Sequence, residues 1–516
     1  MDRLLDKPRN SPWLRLKRKI LTGLILLAVV FGIGALPPAF VFIMQEKSGE
    51  ADSPGGRSSS GLTAEITPEL RERRNRPVAF IDVSVVPMDR EAVLTRQTVI
   101  VRDGFISEIG AASDVNVPPS ALRIDGRGKY LLPGLADMHV HFLSYDEQNN
   151  RRLLLMFVAN GVTTVLNLHG TRHHLDLRSR VNRGELLGPA VFTSGPFISD
   201  APQHTPTPDE VEEAVEDQKR SGYDILKIHG DFSREAYRRL FEAARREGIR
   251  VIGHAPRNLG SEAMIEERQD AVAHAEEYLY SYFFFKMDNS IKAADRETRR
   301  RFLEGQDIRI PAIAEASAKA GTWLVANLSA YRGIGQQAKD VTPLLERPEM
   351  KYVPPAISRG WQPENNTYVR RFKGEETVWN FRMQYGLLEK LVRGFRDAGV
   401  RMMTGTDTPI PSVIPGFSVH DELMDLTSAG LTPYEALRAA TFNPAEFLGV
   451  AGEAGSIAAG KRADLLLLEA NPLEDVSNAS RRAGVMVRGL WLPEEELRKM
   501  LDQMAGSFAR ERGSNR

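Results

Sequence analysis

"LLPGLADMHVHF", residues 131–142, is an apolar run that opens beside a Pro-Gly pair and closes on two histidines one residue apart. Side chains of an extended segment alternate between its faces, so His139 and His141 point the same way. One strand can thereby offer two imidazoles to one metal ion. Alone the pair decides nothing, because an H-x-H arises by chance and most histidines are surface or hydrogen-bonded core residues. Its meaning depends on whether further ligands occur downstream.

Past this run, short apolar strands alternate with helical patterns, the signature of parallel βα units. After "LADMHVH" (135–141) the strand candidates are "TTVLNL" (163–168), "AVFTS" (190–194), "ILKIH" (225–229), "RVIGH" (250–254), "AVAHA" (271–275), "TWLVAN" (322–327) and "RMMTGT" (401–406). Helices lie between them, such as "PDEVEEAVEDQKRSG" (208–222), acidic in its first turn, and "REAYRRLFEAARREG" (234–248), which closes on Gly248. Eight strands are what a closed (β/α)8 TIM-type barrel needs. Tyr280 to about Pro311 and Ser329 to about Gly374 are too long to be simple connections and read as lids or substrate walls.

Outside the barrel, "VAFIDVSVV" (78–86) and "TVIVRDGFISEIG" (98–110) read as strands, with Asp103-Gly104 as a hairpin turn. A β-rich piece returns in "GSIAAGKRADLLLLEANPLEDV" (455–476). The expected organisation is α/β: a barrel over 133–450 and a small β-sandwich domain formed from both flanking segments, 76–132 and 451–500, with a C-terminal tail at 501–516. Two independent β appendages are the alternative.

At the N-terminus, Lys7, Arg9, Arg15, Lys17, Arg18 and Lys19 precede the charge-free apolar stretch Ile20–Met44, long enough to cross a bilayer of ~30 Å. This predicts a basic cytoplasmic segment (1–19), an uncleaved transmembrane helix (20–44) and a linker (45–75) whose "SGEADSPGGRSSSG" (48–61) is a flexible tether. The catalytic domain then lies outside the cytoplasm, on the periplasmic or extracellular side. Lys+Arg and Asp+Glu balance at 68 each, so no large field exists to attract nucleic acid. The chain has no cysteine, which removes disulfides, thiolate zinc sites and cysteine nucleophiles. A metal must be held by His, Asp, Glu or a Lys-derived oxygen.

Functional groups of such a barrel sit at the C-terminal ends of its strands. Strand one ends in His139 and His141, strand four carries Lys227, strand five ends in His254, strand six carries His274 and strand eight leads into Asp407. Each residue alone has a bland explanation, but together they place nitrogen and oxygen ligands on five strands at one rim.

The arrangement resembles the amidohydrolase superfamily, and more narrowly its imidazolonepropionase-like and Xaa-Pro dipeptidase-like branch. The resemblance runs from about residue 78 to about 490, through "LLPGLADMHVH" (131–141), "GVTTVLNL" (161–168), "DILKIHG" (224–230), "VIGHA" (251–255), "MMTGTDTP" (402–409), "HDELMDLTSAGLTPYEALRAATFNPAEFLG" (420–449) and "GSIAAGKRADLLLLE" (455–469). It implies two divalent metal ions, zinc suiting the nitrogen and oxygen donors best, with manganese, cobalt or iron permitted. His139, His141 and Asp407 would hold one ion, His254 and His274 the other, and a carboxylated Lys227 would bridge them. "AVAHAEE" departs from the family's more usual Glu-His-Gly at strand six.

The implied reaction is attack of metal-activated hydroxide on a carbonyl, with Asp407 taking the proton and passing it to the leaving amine. Expected substrate contacts are His229, which faces the same way as Lys227; His169, after strand two; Arg257, able to receive a carboxylate through its fork; and Tyr278, four residues after His274. His173 and His174 are expected in solvent, and His420 as a helix-cap residue. The leading expectation is a membrane-tethered hydrolase of amide bonds in a small-molecule substrate, dipeptide-like or N-acyl amino acid. Alternatives are a cyclic amide or lactone hydrolase at the same site, a non-catalytic barrel acting as a membrane-tethered binding protein, and an envelope scaffold.

Overall fold

The computed structural model describes residues 64–199, 204–285 and 289–514. The expected basic segment 1–19, the anchor 20–44 and the tether 48–61 lie outside the described residues. Among the described residues no helix is long and apolar enough to cross a membrane.

The N-terminal flank supplies β1 (Val78–Val85), β2 (Leu94–Arg102), β3 (Phe105–Ala111), β4 (Leu122–Asp125) and β5 (Tyr130–Pro133). The central region contributes β6 (Leu135–Val140), β7 (Val162–Asn167), β8 (Ala190–Thr193), β9 (Leu226–Ile228), β10 (Val251–Gly253), β11 (Ala271–Ala273), β12 (Trp323–Val325) and β13 (Met402–Met403). The C-terminal flank adds β14 (Leu465–Leu468), β15 (Arg482–Val487) and β16 (Leu490–Pro493).

The central strands pair in parallel in two arcs, β6-β7-β8 and β9 through β13 in order. Bridges Ser194↔Ile225 and Ile198↔Ile228 join the arcs on one side, and Val140↔Thr408 on the other. Amides of Met138 (to Thr404 O, 2.9 Å) and Asp407 (to His139 O, 2.7 Å) close the same seam. The result is a closed ring of parallel strands. β6 and β9 through β12 are buried along their whole length, as strands with helices outside and packed side chains inside must be. All eight expected strands occur, seven of them shorter than the expected run and β7 equal to it but shifted by one residue. The ladder ends where the chain turns toward the rim, and His254 and His274 sit just beyond it.

Local chemistry fixes the surrounding helices. Helix Arg234–Glu247 starts at Ser233, whose hydroxyl accepts the Ala236 amide at 3.0 Å, and ends at Gly248 in the left-handed region (φ +60°). Its Ala236, Tyr237, Leu240, Phe241 and Ala244 form the buried stripe.

The two flanking segments do share one structure. Their strands form a single hydrogen-bonded sheet in the order β16-β15-β14-β5-β1-β2-β3, with β4 also on β1. Asp103 and Gly104 (φ +51° and +83°) make the two-residue hairpin between β2 and β3. The expected sandwich is therefore one sheet folded on itself. β1 and β16 stand four strand steps apart, ~19 Å if flat, yet the rings of Phe80 and Trp491 meet edge-on at 5.2 Å. The enclosed core includes Val99, Leu131, Leu465 and Met486.

Both ends of the described chain carry more structure than the sequence suggests. Residues 68–75 of the expected linker form a helix capped by Thr67, and Glu65 bridges to Leu186. Helix Glu494–Ser514 runs through the expected boundary at 500. Its Leu497, Leu501, Met504 and Phe508 are buried, and it packs on helix Glu147–Ala159. Both long insertions are helical. The first opens with a π-helical turn, Leu279–Phe283, and the second with helix Leu328–Lys339, which packs on helix Glu375–Asp397.

Candidate active site

Asp137, His139 and His141 fall on one face of the β6 run, as alternation requires. The rings of His139 and His141 stand 5.1 Å apart. Asp407, in the loop after β13, points an oxygen at both: Oδ1 is 3.1 Å from His139 Nε2 and 2.8 Å from His141 Nε2. These three side chains converge closely enough to hold one metal ion. The ring of His274 lies 4.6 Å from that of His139, and the ring of His254 lies 5.1 Å from that of His274. Four of the predicted ligands thus form one cluster with Asp407.

The backbone is bent to achieve this. Asp407 (φ +63°) and His274 (φ +75°) occupy the left-handed region that side-chain-bearing residues rarely adopt. Such departures gather at functional sites, where packing over-determines them. Asp137 braces the seam: its carboxylate accepts from Thr406 N (3.0 Å), Thr406 Oγ1 (2.7 Å) and His139 N (3.2 Å). Burial pushes its carboxyl up to about 7.

Lys227 is buried, 1% exposed, and its Nζ has no hydrogen-bond partner among the described residues. Burial pulls its amine from 10.5 down to about 8, against the opposing pull of Asp407, Glu277 and Glu276. Burial, and then the charge of Lys227, keep His139 well below the usual imidazole value. Burial opposes ionisation of Asp407, but the adjacent His139 and the hydrogen bond from His141 hold its carboxyl below the ordinary range.

Asn327 bonds the ring of His139, and carboxyl groups stand beside those of His254 and His274. His139 Nδ1 meets Asn327 Oδ1 at 3.3 Å, and His254 Nδ1 meets Glu277 Oε1 at 3.3 Å. Glu276 Oε1 faces His274 Nδ1 at 3.6 Å. These acceptors were not evident in the sequence. Glu276 and Glu277 were legible only as the odd "EE" after His274.

The expected substrate contacts divide. His229 tilts against His254 at 4.3 Å and stacks on Phe197 at 5.0 Å, while His169 meets the same Phe197 ring at 4.3 Å. Both therefore line the rim beside the cluster. Phe197 lies in "SGPFIS" (194–199), a loop with no periodic signal. Arg257 reaches the site, but its fork is closed on Glu277 (Nε to Oε2, 3.0 Å) and its guanidinium covers Tyr280 at 4.3 Å. It braces the partner of His254. Tyr278 turns away into the helical shell, its hydroxyl 3.3 Å from Ser317 Oγ and its ring edge-on to Phe395 at 5.0 Å. Four residues past the ligand, the chain has already left the rim.

One minor expectation also shifts. His174 is buried, bonding Leu143 O (3.1 Å) and Asn167 Nδ2 (3.1 Å), so it ties together the loops after β6 and β7; His173 is exposed as expected. His420 stands in the first turn of helix Ser418–Ser428, near its start as expected, and donates to Asn160 O at 3.1 Å.

Comparison with known proteins agrees with this geometry. Residues 130–492 match the amidohydrolase family. Ochratoxinase of Aspergillus niger is 23% identical over 463 residues, covering 76% of this chain and 81% of that protein. N-substituted formamide deformylase of Arthrobacter pascens is 30% identical over 166 residues, 30% of this chain and only 27% of that protein. The crystal structure of a Xaa-Pro dipeptidase with bound methionine shares the fold, with a TM-score of 0.58 and 20% identity over 81% of this chain and 100% of that one. The chain belongs to the amidohydrolase family, hydrolases of carbon–nitrogen bonds.

Proposed function

We propose that this protein is a binuclear metal-dependent amidohydrolase that cleaves an amide bond in a small substrate, a dipeptide or an N-acyl amino acid. The observation that carries the reading is the convergence of His139, His141 and Asp407 within reach of one ion. An amide oxygen only accepts, so Asn327 Oδ1 favours a His139 ring protonated on Nδ1. Its Nε2 faces Asp407 Oδ1 at 3.1 Å, the side on which an ion would be held.

The orphaned Lys227 amine fits the same picture. As an ammonium it would be repelled by divalent ions; its lowered pKa leaves a fraction neutral, open to carbon dioxide, and the resulting carbamate is an anionic oxygen ligand. His139, His141 and Asp407 would hold one ion, His254 and His274 the second, with carboxylated Lys227 between them, and zinc suits these donors best. Bound ions would supply Lewis-acid polarisation of a carbonyl and a lowered pKa for water.

The chain's own residues do the rest. Asp407, kept ionised, accepts a proton from the attacking water and returns it to the leaving amine. Phe197, His169 and His229 offer a surface of ring atoms beside the cluster for the substrate's planar or apolar part. The relatives' names, ochratoxinase and Xaa-Pro dipeptidase, accord with small substrates. The apolar stretch 20–44 behind its basic flank supports tethering to a membrane with the enzyme on the non-cytoplasmic side; fractionation with carbonate washing tests this.

The functional test is to purify the protein, count metals per chain, and screen Xaa-Pro dipeptides, N-acyl amino acids, cyclic amides and lactones. Turnover of an amide that disappears with chelation supports the reading. Metal binding with turnover only of lactones or cyclic amides replaces the substrate class, and a protein that binds without turnover is a binding barrel.

A further inference from the structure

We propose that Asn327 is a positioning residue for His139, and that Glu422, on a different helix, holds Asn327 in the conformation this requires. The inference rests on His139 being a metal ligand.

Asn327 is completely buried, at the junction where β12 passes directly into helix Leu328–Lys339. Its backbone is left-handed (φ +52°, ψ +35°), a conformation that asparagine tolerates better than most L-residues. An asparagine at a helix start would ordinarily turn its side chain back to cap its own first turn. Here it makes no such bond. Its Oδ1 instead accepts from His139 Nδ1 at 3.3 Å, which directs Nε2 toward Asp407.

The cap that Asn327 forgoes comes from elsewhere. Glu422, fully buried on helix Ser418–Ser428, accepts the Leu328 amide at 3.1 Å, the Ser329 amide at 2.8 Å and the Ser329 hydroxyl at 2.7 Å. All three bonds go to the residues immediately after Asn327. A buried carboxyl is expensive and needs partners; this one satisfies the exposed donors of the helix start and frees the asparagine to face the histidine. Glu422 is the glutamate of "HDEL" (420–423), in a stretch whose resemblance to the family is marked but to which the metal cluster assigns no role.

Three variants of the full chain separate the claims. Asn327→Gly adopts the left-handed backbone freely but lacks the acceptor; Asn327→Asp keeps the acceptor; Glu422→Gln keeps the volume but replaces an acceptor oxygen with a donor. Zinc and cobalt affinities are measured by chelator competition, with the visible spectrum of the cobalt protein, the unfolding temperature of the metal-free protein, and kcat and KM. The expected result is metal affinity ~10–100-fold lower for Asn327→Gly, an altered cobalt spectrum, and a fall in kcat with little change in KM. Asn327→Asp should recover most of the affinity, and Glu422→Gln should show a smaller loss in the same direction. Metal-free unfolding temperatures of the two Asn327 variants should agree within a few degrees. Wild-type affinity and spectrum in Asn327→Gly would overturn the positioning role while leaving the metal site standing. Wild-type affinity in Glu422→Gln would remove the glutamate from it. A wild-type protein that binds neither ion overturns the reading of the site and this inference with it.

Discussion

The two residues on which the proposed chemistry turns are Asp407 and Lys227, and their environments differ in kind. Asp407 meets two imidazole nitrogens within hydrogen-bonding distance, so its carboxylate is stabilised where it stands. Asp407→Asn keeps the shape but removes the charge and the basicity. Steady-state kinetics should show kcat lowered at least ~10²-fold, with KM changed far less. Lys227 has the opposite problem, a cation with nothing to bond among the described residues. In the metal-free protein its value of about 8 lies below its unfolded 10.5, so at neutral pH the folded state holds an unsatisfied charge. Between pH 8 and 10.5 the unfolded chain binds more protons than the folded one, and stability rises with pH. Metal-free Lys227→Met should therefore unfold at a higher temperature than metal-free wild type at pH ~7, the gap closing as pH rises through that window. The same variant should lose bound metal.

At the scale of elements, the ligand cluster depends on β6 and the loop after β13 lying in contact. Gly405 makes this approach possible, because a Cβ there would stand 2.9 Å from His139 Cβ and 2.3 Å from Val325 Cγ1. Gly405→Ala should destabilise the fold by ~1–3 kcal/mol through overpacking, read by denaturant unfolding, and should weaken metal retention by displacing His139. The strands were legible in the sequence because buried parallel strands are short apolar runs between turn signals. The proposed ligands stood out because strand alternation and rim position bring them together, and the family resemblance gave them their roles. Residues that act through backbone turns were not. Asn327 reads as the end of an apolar run and Glu422 as one acid in an amphipathic helix, and neither shows its partner, which lies far off in the chain. Tyr278 was misplaced for a related reason: spacing from a ligand says little once the chain leaves the strand for the π-helical turn Leu279–Phe283.

Across the whole molecule, the segments before and after the barrel are joined into one sheet, and the C-terminal helix locks against the barrel's first helix. Phe508 is fully buried there, with the Arg152 guanidinium 4.8 Å from its ring centroid. Phe508→Ala should lower stability by ~3–5 kcal/mol in chemical denaturation while leaving kcat near wild type in the folded protein. This separates the helix's structural role from the proposed chemistry at the strand ends. The proposed binuclear centre is best probed by an anomalous-difference map from crystals of the zinc-loaded protein. Two peaks are expected, one among His139, His141 and Asp407 and one beside His254 and His274, with density extending from Lys227 Nζ between them. A map with no peak at His139, from protein that still hydrolyses an amide after exhaustive chelation, would refute a metal-dependent mechanism at this site.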